Sequence, residues 1–202
     1  MVAGSILPVT IVKNKLYFLF GKENEMEDSA KGWSDFGGGC ENKETPYETA
    51  MREGGEELTG FLGDKTNIEA LIKKGGGFYP LTWKTYHVHL FYIPYDENLP
   101  TYYNQNHAFL WERMDKILLS KTKLFEKIEI QWFSEEDLKT KRSQFRSFYQ
   151  NVVDMILQET KKIKQFITKN RPKRRTKKVR FLKHARTTLR SPIVRMPTPY
   201  PK

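Results

Sequence analysis

An α/β domain followed by a basic tail is the fold class the sequence predicts, and three observations predict it. Aromatic and β-branched runs of strand length alternate with segments of helical character. The longest apolar periodicity, over Ser143–Ile167, is helical rather than alternating. From Lys169 the composition turns basic and proline-containing, which does not suit a packed core.

Taken in order, Ser5–Val12 and Leu16–Gly21 read as strands joined by a turn at Lys13–Asn14–Lys15. Lys22–Lys31 is polar and reads as a loop. Trp33–Gly39 (WSDFGGG) is a short aromatic stretch running into a glycine turn. A helix follows: Thr45 can cap it, Pro46 suits its first position and Glu48 completes a T-x-x-E capping box. Asn67–Lys74 suits a short helix or a strand, and Gly75–Gly77 a turn. Thr82–Pro94 is one strongly β-like run, while Thr101–Leu119 fits neither period cleanly. Phe125–Phe133 alternates, with Phe125, Lys127, Glu129 and Gln131 on one side and Glu126, Ile128, Ile130 and Trp132 on the other. Ser134, ahead of Glu135, Glu136 and Asp137, starts a short helix or turn. In Ser143–Ile167 the apolar positions Phe145, Phe148, Val152, Met155, Ile156, Ile163 and Ile167 mark an amphipathic helix. No internal repeat is visible.

At 202 residues the chain is long enough for one core-forming domain, placed at 1–167, and an appendage, 168–202, expected to be disordered alone. A hydrophobic content of 38% and an aromatic content of 13% suit a globular protein. The single cysteine, Cys40, excludes an internal disulfide and points to a reducing, intracellular setting, cytoplasmic or nuclear. No stretch has the ~20 apolar residues of a membrane span. The apolar start of the chain is broken by Lys13 and Lys15 and lacks the basic n-region of a secretory signal.

The net charge of +11 conceals a division. Residues 160–202 hold 16 Lys or Arg and no acid, which leaves 19 basic and all 24 acidic residues in 1–159, a net of −5.

Chemistry concentrates in GGGCENKETPYETAMREGGEELTG, Gly37–Gly60. On the helix expected there, Glu53 and Glu57 stand one turn apart with Glu56 beside both, a repulsive arrangement. Gly54 and Gly55 weaken the helix further, by about 1 kcal/mol each relative to Ala. A hard divalent cation would reverse the repulsion, because Mg²⁺ prefers oxygen ligands and bridges carboxylates to phosphates. A helix N-terminus after a glycine turn also favours an anion. The commoner reading of such composition is a solvated, glutamate-rich helix face.

The spacing favours the first reading. This stretch resembles the Nudix box: Gly, five residues, Glu, seven residues, then Arg-Glu-aliphatic-any-Glu-Glu-any-Gly. Gly38, Glu44, Arg52, Glu53, Glu56 and Glu57 all fall in register. At ordinary residue frequencies the chance of six such matches is on the order of 10⁻⁸ per starting position. Two positions depart: the aliphatic residue is Gly54, and the closing glycine, Gly60, comes one place late. Either departure loosens the expected geometry; neither removes a ligand. The resemblance covers roughly 3–167, since LYFLFGKE resembles the family's N-terminal half and IEIQWFSEEDL its late strand.

The resemblance implies an α/β/α sandwich around a mixed sheet and a metal-dependent hydrolase cleaving a pyrophosphate linkage in a nucleoside diphosphate derivative. It implies Mg²⁺ or Mn²⁺ held by Glu56 and Glu57, with Glu53 sharing metal or base work and the Gly38 carbonyl joining. Arg52 would hold a glutamate in place, and Glu44 would be structural or an outer ligand. The base varies within the family; besides Glu53, Glu126 and Glu129 are candidates, and Glu126 stands six places before Trp132, where RNA-decapping members carry a comparable glutamate. As ordinary residues, both are surface charges on a strand.

Other residues read more simply. His87 and His89 share a strand face and suit sheet-surface positions or substrate contacts. Cys40 reads as a small loop residue. Trp83, Tyr86 and Phe78 suit core packing or stacking on a base. The tail RPKRRTKKVR, with Lys173, Arg174, Arg175, Lys177, Lys178 and Arg180, suits RNA or DNA phosphates; trafficking and an anionic membrane are the other readings. Joined to the box, the tail suggests removal of an mRNA 5′ cap as one alternative, and a fold that kept binding and lost catalysis as another. Asp35–Gly39 (DFGGG) replaces the FPKGK-type loop of cellular decapping enzymes, and Trp33–Gly38 resembles divergent Nudix proteins of large DNA viruses.

Overall fold

A seven-stranded mixed sheet forms the middle layer in the computed structural model. The structure describes residues 1–24, 31–115, 117–118 and 126–172, and Met1–Pro172 form one compact unit. The six tail residues singled out above, and Phe125, lie outside the described residues.

Strand β1 (Ala3–Val12) runs through the centre. It turns into β2 (Lys15–Glu23) through Lys13 and Asn14, with φ of 46° and 65°. Two successive left-handed residues make a type I′ turn, whose twist matches the strands it joins. The hairpin pairs only over Val9–Val12 and Phe18–Lys15. Beyond that the strands part. Strand β4 (Phe36–Gly39) takes the edge of β1 over Ala3–Ile6, and β3 (Trp33–Ser34) takes β2 at Gly21 and Lys22. The glycines expected to form a turn are therefore extended and hydrogen-bonded. On the other side β1 pairs in parallel with β6 (Tyr86–Tyr92), which pairs antiparallel with β5 (Phe78–Trp83). The run expected to be one strand is split by a turn at Lys84, with φ of 54°. Gly76 and Gly77, at φ of 88° and 97°, make the turn expected before β5.

Strand β7 (Lys127–Ser134) pairs with β2, and its register corrects the alternation read above. Gly21 lies opposite Ile130 and Lys22 opposite Glu129, but Glu23 lies opposite Lys127. The bulge skips Ile128. Since cross-strand partners share a face, Lys127 comes round to the side of Ile130 and Gly21.

Helices cover both faces. Helices α1 (Pro46–Glu57), α2 (Lys65–Lys74) and α3 (Asn98–Arg113) lie over one. There Ile6, Leu19, Phe36, Ala50, Met51, Leu58, Ile68, Tyr103 and Ile130 are buried together. The other carries α4 (Glu135–Thr140), capped by Ser134, and α5 (Tyr149–Asn170). Val152, Val153, Ile156, Ile163 and Ile167 pack there on Leu7, Val9, Phe18, Phe20 and Leu90. The result is the α/β/α sandwich. The last helix starts at Tyr149, after a 3₁₀ turn at Arg142–Gln144, and continues to Asn170. Trp83 and Tyr86 pack against the α5 layer, taking the core reading.

Candidate functional site

The site is built where α1 crosses β4. Thr45 caps α1: its hydroxyl accepts from the Glu48 amide at 3.2 Å, while Glu48 accepts from the Thr45 amide at 2.9 Å. The helix is thereby fixed at its start, and it carries Arg52, Glu53, Glu56 and Glu57 along its last two turns. Gly54, at the aliphatic position, faces the core. A methyl there would lie 2.3 Å from Ile6 Cδ1, so β1 supplies the bulk the helix lacks, and Leu58 is fully buried beside it.

Arg52 organises the outer carboxylates. Its Nε and Nη2 donate to the two oxygens of Glu44 at 2.9 and 3.0 Å, the bidentate geometry in which guanidinium and carboxylate match best. Its Nη1 donates to Glu53 at 3.0 Å and to Glu56 at 3.3 Å. Glu44 also accepts from Thr49 Oγ1 at 2.9 Å. Chiefly through the hydrogen bonds from Arg52, its carboxyl is held down at about 2. Glu53 is buried, whereas the Glu56 side chain is 48% exposed. Gly38 lies directly against Glu53: a methyl on it would meet Glu53 Oε1 at 2.4 Å, so only glycine lets β4 approach the helix this closely.

Glu57 turns the other way, into the protein. Its Oε2 accepts from the Gly37 amide at 2.8 Å, and its Oε1 lies 3.4 Å from Lys127 Nζ. Lys127 is fully buried, and its ammonium also donates to Glu23 and, at 2.8 Å, to Ser34 Oγ. Arg146 Nη1 reaches the same Glu23 oxygen at 2.7 Å. The Tyr103 hydroxyl lies 2.7 Å from the Glu57 carbonyl and 3.1 Å from that of Lys127, tying helix to strand. Burial pushes the Glu57 carboxyl up, against the pull of Lys127. Burial also disfavours the Lys127 ammonium, but Glu57 and Glu23 outweigh it and hold the lysine charged.

Glu126, half-buried just before β7, stands close enough for its charge to act on Glu57, as does that of Glu53. Gly38, Arg52, Glu53, Glu56 and Glu57 are thus arranged around the last two turns of α1, and Glu126 acts on Glu57 through its charge. His89 does not stand on the sheet surface: it is buried between Tyr47 and Phe78, its Nδ1 3.0 Å from the Ser5 carbonyl, and burial lowers its pKa. Cys40 is half-buried beside Glu41, Asn42 and Glu44, around an open depression of about 420 Å³. Among the described residues, no three His, Cys, Asp or Glu side chains stand together as a ready cation site; Glu56 pairs with Arg52 and Glu57 with Lys127.

Glu23 and Lys127 were missed in the sequence. Lys127 reads as a charge on an ordinary alternating strand, and Glu23 as part of a polar loop. The one available signal was Gly21, since glycine inside a strand marks close approach. A methyl there would lie 2.9 Å from Lys127 Cγ and Cδ, so its absence is the channel for the lysine stem.

A family model described as NUDIX domain matches residues 5–154. Among solved structures the chain is similar to a mutT/nudix family protein from Listeria innocua, at 14% identity and a TM-score of 0.43, covering 80% of this chain and 94% of that one. It is also similar to a NUDIX hydrolase from Nitrosomonas europaea, at 15% identity and a TM-score of 0.38, covering 85% and 92%. No curated protein matches. With the domain match spanning most of the chain and the box residues gathered at one junction of helix and strand, the chain belongs to the Nudix hydrolase family.

Proposed function

We propose that the protein is a divalent-metal-dependent hydrolase that cleaves a pyrophosphate linkage in a nucleoside diphosphate derivative. The observation that carries this reading is that α1 carries Glu53, Glu56 and Glu57 along its last two turns, with Gly38 of β4 directly against Glu53. The donor set is all hard oxygen, and the contact of Gly38 with Glu53 leaves no room for a side chain between them. An all-oxygen donor set fits Mg²⁺ or Mn²⁺ rather than a softer ion. The three carboxylates and the Gly38 carbonyl would hold the ion, which when bound supplies positive charge to the phosphate oxygens.

The chain's own groups supply the rest. Water attacks one phosphorus, a P–O bond forms, the anhydride P–O bond breaks, and the proton of the water passes to a carboxylate. Glu53, hydrogen-bonded by Arg52, and Glu126, whose charge acts on Glu57, are the two candidates for it. Arg52 keeps Glu53 and Glu56 oriented while charge builds on the phosphate.

The basic tail favours a second substrate reading, capped RNA, with 11 Lys or Arg and no acid in residues 173–202. Glu56→Gln is the cleanest test, because its side chain is half-exposed and its loss spares the buried network. With Mg²⁺ or Mn²⁺ and a panel of capped RNA, nucleoside triphosphates, a dinucleoside polyphosphate and a nucleotide sugar, the variant should lose at least about 100-fold in turnover, the scale of losing one preorganised charge partner. Full activity of the variant would refute the assignment. The best substrate in the panel separates the two substrate readings.

A further inference from the structure

Among the described residues, protein cations stand on two sides of the box carboxylates. Arg52 lies on the solvent side with Glu44, Glu53 and Glu56. Lys127 lies on the inner side with Glu57 and Glu23. The second is the less expected, because burying an ammonium is costly unless its donors and charge are both satisfied. Here they are: its three donors face Glu23, Ser34 and Glu57. The fold provides for it twice, through the bulge that swings Lys127 to the Gly21 face and through the missing side chain at Gly21. Both oxygens of Glu57 are then engaged by the chain itself, one by the Gly37 amide and one by the ammonium.

We propose that Lys127 is a built-in cation of the carboxylate site, which competes with the divalent ion for Glu57 and weakens ion binding in the absence of substrate. This rests on the metal-dependent reading above. An ion drawn to Glu57 has to share the Oε1 side with an ammonium that cannot leave, and like charges at such separations repel strongly. Glu53 and Glu56 remain as the carboxylates that a metal can take without displacing Lys127. Two carboxylates leave a hard cation short of ligands, and substrate phosphate oxygens are the groups that complete its shell. Ion and substrate then bind together. Fully buried, Lys127 has no route to the substrate and acts only through Glu57.

The test is Mn²⁺ binding to the full chain without substrate, read from the electron paramagnetic resonance of the free ion. Lys127→Gln should bind Mn²⁺ at least about tenfold tighter than the wild type. Since that change leaves Glu57 without its ammonium, Glu23→Gln/Lys127→Gln, which removes one buried charge of each sign, provides a second variant; it too should bind tighter. Melting curves establish that the variants are folded. Unchanged or weaker binding in a folded variant overturns the proposal. Glu56→Gln in the wild-type background separates the two readings. If it abolishes Mn²⁺ binding while Lys127→Gln leaves the affinity unchanged, only the role of Lys127 falls. If Mn²⁺ binding ignores Glu56→Gln, both fall.

Discussion

Glu44 shows how a residue outside the main glutamate cluster sets its geometry. It holds Arg52 with both oxygens, and Arg52 in turn reaches Glu53 and Glu56. Its carboxyl is depressed from 4.5 to about 2, first by the hydrogen bonds from Arg52, so the ionised form stabilises the fold. The sign follows from proton binding: between these values the unfolded chain takes up the proton and the folded chain does not. The contribution is complete above about pH 5 and is lost as pH falls toward 2. In urea titrations across that window, Glu44→Gln should show a flatter loss of stability than the wild type, and lower stability at neutral pH. Equal slopes would mean that the pair with Arg52 contributes nothing to folding. Asp35 works in the opposite direction. Burial raises it to about 6, against the hydrogen bonds from Ser5 and Tyr86, so its contribution declines as pH rises from about 4 to 6.

At the scale of elements, α1 carries both departures from the family pattern, and its two ends resolve differently. Gly54 is compensated by packing, since Ile6 fills the space a side chain would have taken. The late glycine is not. The helix closes with the Gly60 amide on the Gly55 carbonyl at 3.1 Å and the Thr59 amide on the Glu56 carbonyl at 2.8 Å. That is a Schellman closure, which requires a left-handed residue at the position Thr59 occupies, and Thr59 has φ of 47°. A β-branched residue there costs about 1–2 kcal/mol. Thr59→Gly should therefore raise stability by about 1 kcal/mol, after the greater entropy of glycine in the unfolded chain is deducted. A lower denaturation midpoint would show that packing of the Thr59 side chain outweighs its strain. The strand β7 makes the complementary point. Its bulge and its pairing with Asn104, whose side chain bonds the Ile130 amide at 2.8 Å, fix an edge strand whose alternation alone would have sent Lys127 elsewhere.

Over the whole molecule, charge divides at Pro172. With 11 of the 35 basic residues in 173–202 and no acid there, residues 1–172 balance at 24 of each sign. Basic surface already begins on α5, where Lys161, Lys164 and Lys169 line an open depression with Gln165 and Thr168. No helix among the described residues is long and apolar enough to cross a membrane. Removing residues 173–202 should leave the melting temperature close to that of the full chain, because the cut falls beyond Asn170, which packs against Gly76. It should also reduce the salt dependence of RNA binding, by about 0.7 in the logarithmic slope for each single-strand phosphate that the tail no longer neutralises. An unchanged slope would assign RNA affinity to the folded domain and the tail to another task.

What the sequence determined by itself was local or spaced: the capping box at Thr45, the Lys13–Asn14 turn, the helical period of α5, and the register of Gly38, Glu44, Arg52 and the three glutamates. Each is fixed by residues within a few turns or by a pattern of known period. The tertiary structure alone decided which face Lys127 takes, that Gly37–Gly39 are extended rather than turned, that Thr82–Pro94 breaks at Lys84, and that Ile6 completes α1. A bulge depends on the register of two distant strands, and a filled gap depends on what crosses it; neither is written in the residues that form it.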